Sequence, residues 1–354
     1  MNIQKNVNLQ PYLTLQTIAY ADYFSTFQNI SELIELLNFA KSQDLQVFFL
    51  GEGANTFCKS NFQGIVLKND TKGVSIIRET NEYIYFQVAS GENWHDFVMH
   101  TVSKNLFGLE NLAFIPGSIG ASPIQNINAY GFQMSDICTD VQVLDLETFE
   151  ESTLENEDCK FKYRSSIFKN EARNKYFIAS VTFKLSKINH INIDYGNTYG
   201  SVKQVLLEAG KDLSKLTSLD IAESIIRLRT KKLPDLNLTP NAGSIFVNVF
   251  CDKNEKERIE TIEAKLREEN PSLSKCEFYT ENDNLYKIPA GWLVEAAGYK
   301  GKWFGNVGVS EKHALILVTN GKATGLELYD LVEKIQNSVY EMFGIRLEAE
   351  QNII

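Results

Sequence analysis

Residues 108–134 read GLENLAFIPGSIGASPIQNINAYGFQM, with glycine or proline every few residues and no sustained helical or strand period. A loop this long inside a compact domain is either functional or disordered. Leu109, Leu112, Phe114, Ile115, Ile119, Ile124 and Ile127 argue against disorder, so the stretch reads as an ordered wall facing a ligand. It contains one glycine-rich turn, Gly117 to Gly120, with hydroxyls at Ser118 and Ser122. A second turn, Gly51-Glu52-Gly53, follows the short apolar strand Val47-Phe48-Phe49-Leu50. Glycine allows close approach and positive φ, so either turn could offer N–H groups to phosphate oxygens, or simply reverse the chain. Neither is the dinucleotide fingerprint, because the third glycine is missing, and no GKS or GKT phosphate loop occurs.

Outward from this block, short strands alternate with helices. Residues 30–42 place Ile30, Leu33, Ile34, Leu37 and Ala40 on one helical face, with Asn29 and Glu32 at capping distance. Strands are expected at 64–68, 74–78 and 83–88, and a helix at 93–104 with Trp94, Phe97, Val98 and Val102 inward. Further helices are expected at 201–209, 219–228, 252–268 and 325–342, the second and last opened by Thr217/Asp220 and Thr324/Glu327. The mixture is α+β.

A chain of 354 residues exceeds one ordinary core, and 44% hydrophobic with 23% charged residues is a globular composition. The net charge of −10 argues against a general nucleic-acid or anionic-membrane binder, so an anionic ligand would need local cations. The five cysteines, Cys58, Cys138, Cys159, Cys251 and Cys276, include no CxxC pair and no metal spacing, which fits reduced thiols. The opening MNIQKNVNLQPYLTLQ shows no basic region followed by an apolar one, and no apolar run reaches membrane-span length.

Several residues could carry chemistry. Tyr163-Arg164-Ser165-Ser166-Ile167-Phe168 sets an arginine among aromatic and apolar neighbours. Arg229-Thr230-Lys231-Lys232 is a basic cluster, either a phosphate site or a solvated helix end where the dipole favours cations. Asn241-Ala242-Gly243-Ser244 puts a serine after a small-residue turn. No GxSxG elbow surrounds Ser244, and His95, His100, His190 and His313 show no spacing that marks a base for it. Glu348 and Glu350 close the chain with two carboxylates.

In order, LGEGAN, GENWH, the 108–131 block, YRSSIFK, RTKKLPD, NAGSIFVN, AGWLVEAAGYKG and LEAE make a chain that resembles the UDP-N-acetylenolpyruvoylglucosamine reductase family. The resemblance covers about residues 47–350 and is closest to the longer type with a tyrosine loop around Tyr195. It implies an α+β protein with an FAD-binding fold of the vanillyl-alcohol-oxidase type in two subdomains, 1–72 and 73–231. A substrate-binding α+β domain, 232–345, would follow, with the tail 346–354 returning near the first subdomain. It further implies NADPH as hydride donor, FAD as carrier, and a UDP-sugar enolpyruvyl ether as substrate in peptidoglycan synthesis.

Carried over by position, Ser244 would be the proton donor, with Arg164 and Glu350 at the substrate carboxylate. Tyr130, Tyr195, Arg229, Lys232 and Asn248 would contact substrate, the two cations facing the diphosphate. Gly51, Gly53, Asn55, Pro116, Gly117, Ile119 and Ser122 would cradle FAD. No metal and no nucleic-acid or membrane partner is implied; a cytoplasmic monomer is.

Four departures stand out. Residues 11–16 read PYLTLQ where the family has an NTF-like stretch, and Asn128 replaces a glycine, so a positive φ is expected there. Val247 and Val249 replace a lysine and a proline, and the usual arginine after the last glutamate is missing. These leave open a different flavin oxidoreductase of the same fold, or a paralogue that binds flavin or UDP-sugar without catalysis.

Overall fold

Asn29 opens the first helix, its side chain accepting from the Glu32 N–H at 3.0 Å while Glu32 accepts from the Gln28 N–H at 2.8 Å. Such a cap stabilises a helix by about 1 kcal/mol. The helix, α1 (Ile30–Ser42), buries Leu33, Leu36, Leu37 and Ala40. The structure is a computed structural model and describes residues 2–191, 193, 196–197, 200–282 and 284–354. The chain forms two compact units. The first holds Met1–Val7, Ala21–Glu52 and Gln63–Lys232; the second holds Asn8–Tyr20, Gly53–Phe62 and Leu233–Ile354.

The first unit has two cores. One lies between α1 and a four-stranded sheet ordered 4–8, 20–27, 62–69, 46–50, whose last two strands pair in parallel. Phe27, Leu33, Leu36, Ile65 and Leu67 fill it, and Leu144 and Phe177 join them. The other lies under an antiparallel five-stranded sheet ordered 151–155, 138–145, 176–186, 83–89, 74–79. Along 83–89 the residues Ile84, Phe86 and Val88 turn inward, the period of two that a one-sided sheet requires. Helices α2 (Trp94–Val102), α3 (Val202–Glu208) and α4 (Ser218–Lys232) cover this sheet. Trp94 meets Phe183 edge-on at 5.8 Å, and its indole N–H donates to Leu112 O at 2.9 Å, so the buried ring leaves no donor unpaired. α4 runs beyond the expected 219–228, ending on Lys232.

The 108–134 block is ordered. It folds as short 3₁₀ turns at 110–112, 119–121 and 134–136, with Leu109, Leu112, Ile119 and Met134 buried. Between them lies a small hairpin, Asn128 opposite Gln133 and Ala129 opposite Phe132. Its turn is Tyr130-Gly131, with φ of 50° and 77°, the mirror-type turn that matches strand twist. The expected positive φ at Asn128 is therefore wrong. Asn128 is an extended strand residue, and the left-handed positions fall two and three residues later.

The second unit builds a sheet ordered 241–244, 316–319, 307–309, 303–304 and a smaller one ordered 249–251, 285–288, 279–282. Around them pack α5 (Lys253–Glu269), α6 (Ala290–Ala296) and α7 (Gly325–Phe343), with Ile259, Leu293, Leu328, Ile335 and Phe343 in one core. The Thr324/Glu327 capping box forms, and an Asp252/Glu255 box opens α5. α6 carries no periodic signal because Ala290 through Val294 are all buried, leaving no polar face to mark its phase. The tail also belongs here: Asn352 and Ile353 pair in parallel with Thr56 and Phe57.

Candidate functional site

In the first unit, α4 buries Ile221, Ala222, Ile225 and Leu228, which leaves Arg229 and Lys232 together on the neighbouring face of its last turn. Both are half-buried. Burial is the main cause that lowers the Arg229 pKa; Tyr130 opposes this, and the Arg164 charge adds to it. Lys232 is pushed down to about 8, first by burial and then by the Arg229 charge. Tyr130, Arg164 and Lys232 are thus each in electrostatic reach of Arg229. The three cations supply local positive charge within a chain of net charge −10, as an anionic ligand would need.

The loops that carry Tyr130 and Arg164 are built alike. Arg164 has a φ of 52° in a tight turn closed by two backbone hydrogen bonds between Lys162 and Ser165, at 3.0 and 3.2 Å. Tyr130 stands left-handed in its own hairpin, its carbonyl accepting from Asn111 Nδ2 at 3.0 Å. The two loops are joined: Asn126 Nδ2 donates to Lys162 O at 3.3 Å, and the Ser166 hydroxyl donates to Ile124 O at 2.6 Å. Left-handed backbone costs an ordinary residue about 1–2 kcal/mol and concentrates where function requires it.

The two glycine turns also meet. A Cβ on Gly51 would lie 2.5 Å from Ser118 Oγ. The Ile119 N–H donates to Glu92 O and the Gly120 N–H to Ser90 O, both at 2.9 Å, so the inner side of the loop is pinned. Its outer side is open: Gly117 has a φ of 122°, and an added Cβ would meet no heavy atom within 4 Å. A rigid main chain with open space over a glycine fits a flat, polar cofactor such as FAD. Ile119 and Ser122 are buried in this loop, the Ser122 hydroxyl donating to Ile119 O at 2.7 Å, while Pro116 is exposed beside Gly117.

In the second unit, Ser244 is half-buried at the end of strand 241–244. The tail runs along the residues after it: the Val247 N–H donates to Glu348 O at 3.1 Å and the Glu350 N–H to Ile245 O at 2.7 Å. Glu350 is therefore brought beside Ser244, and Glu348 is left exposed. Asn55 Nδ2 donates to Glu350 O at 3.4 Å, and Asn248 Oδ1 accepts from the Ala290 N–H at 3.0 Å. Packing alone already requires glycine at 53: with φ of 63°, its Cβ would sit 2.0 Å from Tyr12 O, and Thr14 donates to its carbonyl. Tyr195 lies outside the described residues. Among the described residues no group of histidine, cysteine or acidic side chains could hold a metal ion.

Two features escaped the sequence. His95 and Arg229 both bond the backbone of Phe114, and Gln351 Nε2 donates to Ala242 O at 3.0 Å and Gly243 O at 3.3 Å. Side-chain contacts to distant main chain leave no periodic trace.

The comparisons define the class, a flavin-dependent oxidoreductase. The FAD binding domain family matches residues 21–148, and the C-terminal domain of UDP-N-acetylenolpyruvoylglucosamine reductase matches 234–354. The chain is 38% identical over 356 residues, with 100% of both sequences covered, to UDP-N-acetylenolpyruvoylglucosamine reductase of Flavobacterium johnsoniae. It is 34% identical to that of Pseudomonas fluorescens, with 99% of each covered. The crystal structure of the Thermus caldophilus reductase shares its fold, with a TM-score of 0.65 at 19% identity over 100% of this chain and 99% of that one. This chain belongs to the UDP-N-acetylenolpyruvoylglucosamine reductase family, and FAD is its cofactor.

Proposed function

We propose that the protein uses NADPH to reduce the enolpyruvyl ether of a UDP-N-acetylglucosamine substrate, giving UDP-N-acetylmuramate for peptidoglycan synthesis. FAD, when bound, supplies the hydride at the terminal carbon of the enolpyruvyl group. Negative charge then develops on the α-carbon and its carboxylate, and the protein must meet both. Ser244 gives its hydroxyl proton to the α-carbon. Arg164 and Glu350 hold the carboxylate; a glutamate there works as the protonated acid or through a shared donor. Arg229 and Lys232 take the diphosphate, Arg229 through its Nη groups because Nε is bonded to Phe114 O. Tyr130, Asn248 and Tyr195 complete the substrate contacts. Gly51, Gly53, Asn55, Pro116, Gly117, Ile119 and Ser122 surround FAD.

The observation that supports this reading most is the local positive charge of Arg164, Arg229 and Lys232 in an acidic chain, which suits a substrate carrying both a carboxylate and a diphosphate. The same reading takes the finer division into 1–72, 73–231 and 232–345, with the tail 346–354 placed near the first part, and an enzyme acting as a cytoplasmic monomer. Five free, buried cysteines support a reducing compartment. Among the described residues no helix is long and apolar enough to cross a membrane.

Anaerobic absorption spectroscopy tests the whole sequence. The flavin bands bleach with NADPH and return on adding the UDP-enolpyruvyl sugar. Bleaching without recovery would overturn the substrate, and no bleaching with NADPH would overturn the donor.

A further inference from the structure

The first turn of α2 grips the 108–134 loop at successive points. Besides the indole bond to Leu112 O, the Trp94 N–H donates to Gly117 O at 2.9 Å. Between these anchors the backbone of Phe114 is held from both sides. His95 Nδ1 accepts from the Phe114 N–H at 3.0 Å, and Arg229 Nε donates to the Phe114 carbonyl at 3.1 Å. The imidazole also meets the Phe114 ring edge-on, with centroids 5.6 Å apart. Phe114 has a φ of 61°, which a bulky residue disfavours, and its side chain is 37% exposed. Core burial of the ring does not account for the strained backbone; the two side-chain bonds do.

We propose that His95 is a positioning residue: as the neutral imidazole it locks Phe114 left-handed and so sets the Ile115-Pro116-Gly117 main chain that receives FAD, with Arg229 closing the same lock from α4. This rests on the reading of that loop as the flavin cradle.

Only neutral imidazole can serve, because Nδ1 must present a lone pair; its proton is then on Nε2. A second proton would turn the acceptor into a donor facing an N–H, and would set a cation beside Arg229. The charged groups facing the ring are Asp96 on the same helix, which favours protonation, and Arg229, which opposes it. Burial is the largest influence and holds the pKa below the ordinary histidine value. The lock is therefore closed at neutral pH and opens as pH falls through that lowered value. It also joins a cation to the cofactor loop through the two peptide units that flank one residue, Phe114.

The test is FAD release from the holoenzyme, followed by flavin fluorescence on dilution between neutral and mildly acid pH, for wild type, His95→Gln and His95→Leu. Glutamine can accept through its side-chain oxygen and does not titrate. Wild type should lose about tenfold in FAD affinity as pH falls, the scale of one hydrogen bond. His95→Gln should stay flat, and His95→Leu should be about tenfold weaker at neutral pH. Ring-¹⁵N NMR should show His95 neutral and protonated at Nε2 at neutral pH, gaining its second proton only below the ordinary histidine value. Acid loss persisting in His95→Gln, unchanged binding in His95→Leu, or a proton on Nδ1 at neutral pH would each overturn the lock. If His95→Leu does not fold, the glutamine variant and the NMR decide. Gly117→Val separates the two readings: normal FAD binding by that variant sinks the cradle, while the tautomer judges the lock by itself.

Discussion

The cations of the first unit and the serine and glutamate of the second are held in place by different means. Arg164 and Tyr130 sit on left-handed turns, and Arg229 reaches out from a helix end to bond a strained peptide. Ser244 pairs opposite Ile316 just after a shift in strand register at Gly243, whose φ is 72°, and Glu350 is held by backbone bonds from Glu350 to Ile245 and from Val247 to Glu348. Strained turns aim a long side chain at a ligand and tolerate little loss of their anchors. A ladder sets a short side chain to within the backbone's own precision. That contrast suits the proposed division of labour, anion binding on one side and a short proton transfer on the other.

The contrast can be broken at its sharpest point with Ser244→Ala. Reduction of FAD by NADPH should be unchanged, and reoxidation by the UDP-sugar should fall by about 10³-fold or more, the scale of general acid catalysis with lost orientation. Stopped-flow absorbance of the two half-reactions checks it; equal slowing of both would remove Ser244 from proton donation. On the other side, Arg229→Ala or Lys232→Ala should weaken UDP-sugar binding about ten- to a hundredfold, as loss of a charge-assisted bond implies. Isothermal titration reads this directly, and unchanged affinity would end the diphosphate assignment.

A smaller effect is expected from pH. Substrate affinity should fall as pH rises through about 8, where Lys232 loses its proton, and the decline should vanish in Lys232→Ala. The sign for stability is opposite: the unfolded chain keeps its lysine proton to higher pH, so in the ligand-free protein the cost of burying this group is relieved as pH rises from about 8 towards the ordinary lysine value. The smallest effect concerns strain. Arg164→Gly should abolish the carboxylate contact yet raise stability by about 0.5–1 kcal/mol, since glycine adopts the left-handed turn freely at some entropic cost. Denaturant midpoints measure it, and a loss of stability would show the Arg164 turn to be unstrained.

Much was legible in the residues themselves. Apolar spacing and capping pairs located α1 to α5 and α7, because a helix that buries one face must repeat its hydrophobic residues at that period. The order of the glycine blocks, YRSS, RTKK, NAGS and LEAE marked the family, and the 108–134 loop read as ordered because its apolar residues needed a core. Four things were decided only by tertiary structure. Ala290 through Val294 of α6 are all buried and carry no period, and the mirror-type hairpin moved the left-handed positions from Asn128 to Tyr130 and Gly131. The same holds for the clamp of His95 and Arg229 on Phe114 and for Gln351 beneath Ala242 and Gly243. Chain order specifies which groups can bond, but a side chain's partner a hundred residues away is chosen by packing, and packing has no signature in local spacing.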